Sequence, residues 1–142
     1  MSPVKILLVE DDPGHARLIE KNLRRGGILH DIMYFNNGQT ILEYLNTSLA
    51  EQGEEEGLLI LLDLNLPVLD GYRVLERIKA NEQTKRIPVI ILTTTDIPQD
   101  VERCYGLGCN LFITKPIQYD EFSTAIQNLS GLLSIVKVPS VL

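Results

Sequence analysis

Continuous apolar runs alternating with stretches of helical period predict an α/β fold, a parallel sheet of five strands with five helices on its two faces. Two observations carry this reading. Ile6-Leu7-Leu8-Val9 and Leu58-Leu59-Ile60-Leu61-Leu62 are apolar at every position, as strands buried on both faces are. The segments between such runs repeat apolar residues every three or four positions, as helices on a sheet do. A chain of 142 residues fits one domain with a real core, read here as 1–142 with its core at about 4–133.

The elements follow in order. Val4–Val9 reads as the first strand. Asp12-Pro13 supplies an N-cap and a proline at the first helical position. Ala16, Ile19 and Leu23 form that helix's inner stripe, and Gly26-Gly27 ends it. Residues 28–35 read as a more polar strand at a sheet edge. Asn37 caps a helix carrying Ile41, Leu42, Leu45 and Leu49. The stretch 46–57, with Glu54-Glu55-Glu56, reads as a helix end and a solvated loop. Residues 58–63 form the third strand, and Asp70 caps a helix whose Val74, Leu75 and Ile78 face inward. The β-branched run 87–93 is the fourth strand. Asp96 opens a shorter helix broken at Gly106 and Gly108, Leu111–Thr114 is a fifth strand, and Phe122, Ile126, Leu129 and Leu133 mark a last helix.

Composition excludes several roles. Thirteen basic against nineteen acidic residues leave a formal charge of -6. Without a Lys/Arg cluster, that argues against a nucleic-acid partner. Apolar runs of four or five residues are far short of a membrane span, and the opening Met1-Ser2-Pro3-Val4-Lys5 has no secretory pattern, so the expected compartment is the cytoplasm. Cys104 and Cys109 match neither a disulfide framework nor a zinc site and read as reduced thiols near the core. His15 and His30 fit no metal or triad pattern and read as surface or structural residues.

Chemistry concentrates at one rim. In open parallel sheets, ligands bind beyond the carboxyl ends of the strands. Glu10, Asp11, Asp63, Thr93 and Lys115 all fall at or just past such ends. Clustered carboxylates repel one another unless a cation or a reaction requires them. Hard oxygen ligands suit Mg²⁺ or Mn²⁺. Asp11 and Asp63 could ligate directly, Glu10 through a water, and Asn65 by its backbone carbonyl. An aspartate can act as nucleophile toward phosphorus, and the Thr93 hydroxyl and Lys115 ammonium can stabilise phosphoryl oxygens.

Val9-Glu10-Asp11-Asp12, Leu62-Asp63-Leu64-Asn65-Leu66-Pro67, Asp70-Gly71, Leu92-Thr93-Thr94 and Thr114-Lys115-Pro116 stand in the order and spacing of the response-regulator receiver domain, which the chain resembles from Val4 to about Leu133. More narrowly, it resembles the small stand-alone regulators of bacterial phytochromes. The resemblance implies a flavodoxin-like sheet in the order 2-1-3-4-5. It implies that Asp63 accepts a phosphoryl group from a phosphohistidine of a sensor kinase, in the narrower resemblance a phytochrome, in a Mg²⁺- or Mn²⁺-dependent reaction. Glu10 and Asp11 would complete the metal pocket, Thr93 and Lys115 would contact the phosphoryl group, and Phe112 would turn inward as the switch. Asn65 and Thr95 would modulate hydrolysis, and the Lys115–Pro116 bond would be cis. Such a protein is not a conventional enzyme, although it assists its own phosphorylation and dephosphorylation. With no residues left for an output domain, it would signal by contact with a separate protein or by relay.

Two rivals fit less well. A dehalogenase-like phosphatase needs an acid two residues past its nucleophile, where this chain has Asn65. A flavodoxin-like FMN binder needs a phosphate loop after the first strand, where Glu10-Asp11-Asp12 would repel the anion. Finally, the apolar arc of the last helix continues through Val136 and, with Ile135, Val138, Val141 and Leu142, exceeds what one sheet face needs. This predicts a homodimer through that helix, the fifth strand and the tail 134–142.

Overall fold

The computed structural model describes residues 4–52 and 57–139. Its elements are β1 (Val4–Val9), α1 (Pro13–Arg25), β2 (Asp31–Phe35), α2 (Gly38–Gln52), β3 (Gly57–Leu62), α3 (Gly71–Ala80), β4 (Val89–Thr93), α4 (Pro98–Leu107), β5 (Leu111–Thr114) and α5 (Tyr119–Leu133). The strands form one five-stranded sheet in the order β2-β1-β3-β4-β5, and every pairing is parallel. This is the predicted architecture and strand order.

The unbroken apolar runs are explained by the two cores they serve. Side chains alternate across a strand. Ile6, Leu8, Leu59, Leu61, Ile90 and Leu92 therefore face α1 and α5, packing with Ile19, Leu23 and Ile126. Leu7, Val9, Leu58, Ile60, Leu62 and Ile91 face α2, α3 and α4, packing with Ile41, Leu45, Val74, Leu75, Ile78 and Cys104. Both cysteines are free and buried.

The helix starts follow the capping chemistry of the sequence. The Asp12 carboxylate accepts from the Gly14 and His15 amides at 2.8 and 3.2 Å. Asn37 Oδ1 accepts from the Thr40 amide, and Asp70 Oδ1 from the Arg73 amide. Strand β3, at Gly57–Leu62, sits one residue earlier than expected, and three other boundaries differ for local reasons. Strand β2 starts at Asp31, because the Ile28 amide turns back to the Leu23 carbonyl and closes α1. Strand β4 starts at Val89, because Ile87 bonds within a turn to Thr84 and Pro88 has no N–H to give a ladder. Helix α4 starts at Pro98 with Ile97 as its cap residue, so Asp96 lies just outside it. The proline's fixed φ sets the first helical position there.

Two further expectations are revised. Past α5, Val138 lies half-buried on the core, so close that a Cβ on Gly57 would come within 2.4 Å of its Cγ2. That part of the tail covers its own sheet; Ile135 is 76% exposed, while Val141 and Leu142 lie outside the described residues. The run Glu54-Glu55-Glu56 also lies outside them. The described residues contain no cis peptide bond, so Lys115–Pro116 is trans, against the expectation. At an X–Pro bond the two isomers differ by only about 0.5–1 kcal/mol, and local packing decides.

Gly71 seats the start of α3 against the end of β3. A Cβ there would lie 2.4 Å from the Asp63 carbonyl oxygen and 2.6 Å from Leu64 Cα, both backbone atoms that cannot swing away. Gly71→Ala is expected to lower stability by about 1–3 kcal/mol through overpacking, measured by urea unfolding.

Candidate functional site

Glu10, Asp63 and Lys115 each stand one step beyond a strand and are still tied to the neighbouring strand by a backbone hydrogen bond. The Glu10 amide donates to the Phe35 carbonyl at 3.0 Å, the Asp63 amide to Val9 at 3.1 Å, and the Lys115 amide to Thr93 at 2.6 Å. The sheet thus fixes the main chain of the site.

The side chains meet. One carboxylate oxygen each from Glu10, Asp11 and Asp63 lies within 4.8 Å of the others. Lys115 Nζ donates to Glu10 Oε1 in a short contact and to Asp63 Oδ2 at 3.4 Å. Asp63 Oδ1 accepts the Asn65 amide at 3.2 Å. Glu10, Asp63 and Lys115 are 1%, 7% and 3% exposed, whereas Asp11 is open to solvent. The sequence suggested Lys115 as a partner for Asp63; its tighter partner is Glu10.

Electrostatics follow from this burial. Desolvation raises the Glu10 pKa most, a hydrogen bond with Asp63 adds to it, and Lys115 opposes both, leaving the carboxyl pushed up to about 7. Tyr34, on the neighbouring strand, is also shifted up, first by its burial and then by Glu10, Asp11 and Asp12. Three carboxylates facing one ammonium leave net negative charge on the pocket. A hard divalent cation offsets such charge and accepts such a donor set, so the residues fit Mg²⁺ or Mn²⁺.

Thr93 contributes a second signal. It is fully buried at the end of β4, and its hydroxyl has no hydrogen-bond partner. A buried hydroxyl without a partner costs about 1–3 kcal/mol. Such an atom marks a place where something else is expected to bond. Phe112 is half-buried on the α4 side of the sheet, and its amide donates to the Tyr105 hydroxyl at 3.2 Å. Thr95, two residues past Thr93, donates to Asp100 Oδ2 at 3.0 Å.

Sequence reasoning missed two neighbours. His15 Nδ1 lies 3.7 Å from Glu10 Oε1, brought there by the first turn of α1. Its place just after the Asp12 cap was the available signal. Asp100 was missed because nothing in the sequence joins α4 to Thr95. Glu10's raised pKa carries a pH consequence. Its unfolded value of 4.5 lies below its folded value of about 7, so the folded state holds more protons in that window. Without divalent cation, stability is expected to fall as pH rises from about 4.5 to 7 and then to level off. In Glu10→Gln that slope should flatten, as read by urea unfolding against pH.

Comparison with known proteins agrees with this geometry. The family model described as "Response regulator receiver domain" matches residues 6–127. Response regulator Rcp1 of Synechocystis is 37% identical, over 97% of this chain and 95% of its own length. The crystal structure of a response regulator receiver domain from Rhodospirillum rubrum superposes with a TM-score of 0.90 at 45% identity, covering 96% of this chain and 97% of that one. The phosphorylated cyanobacterial phytochrome response regulator RcpA superposes at 0.85 with 34% identity, covering 98% and 100%. A third structure, the Mn²⁺-bound form of Rcp1, gives 0.86 at 36% identity, covering 97% and 100%. A parallel sheet in this order, acids at its carboxyl rim and a family match across most of the chain lead to one conclusion: the protein belongs to the response-regulator receiver family.

Proposed function

We propose that this receiver accepts a phosphoryl group on Asp63 from a phosphohistidine of a sensor histidine kinase and thereby switches a protein-interaction surface. The observation that carries the reading is the buried Asp63 carboxylate beside Lys115, with the unpartnered Thr93 hydroxyl at the end of the neighbouring strand β4. The similarity to Rcp1 and RcpA supports a phytochrome as the kinase. The near-complete overlap with Rcp1 supports reading 1–142 as a single receiver with its core at about 4–133. Among the described residues, no helix is long and apolar enough to cross a membrane, which agrees with a cytoplasmic role.

In the transfer, an Asp63 carboxylate oxygen forms a bond to phosphorus while the bond to the donor nitrogen breaks. Lys115 already stands beside that carboxylate and can move its hydrogen bonds to the incoming oxygens. The Thr93 hydroxyl gains its missing partner there. As Thr93 moves toward the site, Phe112 fills the space it leaves. Glu10, Asp11, Asp63 and the Asn65 carbonyl would hold Mg²⁺ or Mn²⁺. The bound ion would neutralise charge shared by the carboxylates and the phosphoryl oxygens.

One feature separates this reading from a hydrolase: the residue two places past Asp63 is Asn65, which cannot serve as a general acid or base. With a small acyl phosphate and Mg²⁺, mass spectrometry is expected to find one added phosphoryl group, mapped to Asp63. Label retained in Asp63→Asn would move the phosphoacceptor elsewhere.

A second copy of the chain is the proposed partner on the α4–β5–α5 side. Tyr105 at 47% exposed, Tyr119 at 53%, Leu132 at 46% and Ile135 at 76% leave large apolar groups in water there. Sedimentation at high micromolar concentration is expected to show a dimer, weakened by Leu132→Glu. A monomer under all conditions, phosphorylated or not, would exclude this face as a self-contact.

A further inference from the structure

A small polar cluster lies between α3 and α4, outside the acidic pocket. At its centre is Asp100, in the first turn of α4. The Thr95 hydroxyl donates to Asp100 Oδ2 at 3.0 Å. Tyr72, in α3, lies near the same carboxylate: burial first and then Asp100 push its phenol pKa up. Arg103, one helical turn beyond Asp100, lies 3.9 Å over the Tyr72 ring. The start of α3 and the loop after β4, both next to the phosphoacceptor site, thus approach one carboxylate.

Both segments are closely tied to that site. Tyr72 follows Gly71, where an added Cβ would lie 2.4 Å from the Asp63 carbonyl oxygen. Thr95 follows Thr93 by two residues, and its own carbonyl accepts the Thr114 hydroxyl at 3.2 Å, beside Lys115. The segment after Thr93 is therefore held at two points: by its backbone to β5 and by its side chain to α4. Thr93 must shift if its hydroxyl is to bond a phosphoryl oxygen, and residues 94–97 must then shift with it.

Resting on the receiver reading above, we infer that Asp100 is a positioning residue, a latch that holds Thr95 and with it the loop after Thr93 in the conformation seen here. A contact present in one of two states biases the population toward that state. The latch therefore opposes phosphorylation, and phosphorylation in turn weakens the latch, since such coupling is reciprocal. Arg103 stacked on Tyr72 keeps the phenol aimed at Asp100. A net hydrogen bond of about 1 kcal/mol corresponds to roughly a fivefold change in population.

The test follows phosphorylation of the full chain by acetyl phosphate with Mg²⁺. Asp100→Ala and Thr95→Val are each expected to speed phosphorylation of Asp63 at least threefold. The double variant should be no faster than the faster single one, because both remove the same bond. Asp100→Asn, which keeps an acceptor oxygen, should stay within twofold of the parent. A merely structural role would lower the unfolding midpoint without this rate pattern, so thermal unfolding is measured in parallel. Thr95→Val, close in shape to the parent, carries the test should Asp100→Ala fail to fold. Unchanged rates in a parent that takes label, or rates that multiply in the double variant, overturn the latch alone. A parent that takes no label on Asp63 overturns the receiver reading together with the latch.

Discussion

The ammonium of Lys115, buried between Glu10 and Asp63, is the interaction around which the rest of the molecule is arranged. Taking three ionisable groups out of water is costly and is tolerated only with good geometry. The sheet supplies that geometry. Glu10, Asp63 and Lys115, the residues next after β1, β3 and β5, are each held by a last backbone hydrogen bond to the neighbouring strand. Two apolar layers, one on each face, then exclude water from below. The pocket is held under charge tension, and a cation can relieve it. Sensitivity to ligands is thus a consequence of how the site is built.

The fold was legible in the sequence because its signals were local and strong. Fully apolar runs meant strands covered on both sides, and Asp12, Asn37 and Asp70 marked helix starts that the structure reproduces. Errors fell where a tertiary or turn contact overrode a local pattern. Ile28 looked like strand but serves as the closing residue of α1. Asp96 looked like a cap but was displaced by Pro98. The tail's apolar residues were all assigned outward, although Val138 is spent on the protein's own sheet.

The candidate site was legible in its membership but not in its pairings. Glu10, Asp11, Asp63, Thr93 and Lys115 could be grouped because each follows a strand, and strand ends converge in a parallel sheet. Which carboxylate Lys115 prefers could not be read, since it depends on side-chain reach across two loops. Nor could the approach of His15 to Glu10, which rests on the angle at which α1 leaves the sheet. The Asp100 cluster joins residues of α3, α4 and the loop between β4 and α4. No spacing rule links them.

Gly57 and Asp63 bracket the same strand, with Val138 lying over the first and Lys115 beside the second. Six steps along β3 separate them by about 20 Å. That exceeds the roughly 8 Å over which charge is felt in physiological salt. A molecule bound near the C-terminal tail could not sense the phosphoryl group by its field. News of the modification would have to cross the molecule mechanically, as side chains displaced in sequence beside a sheet too stiff to bend.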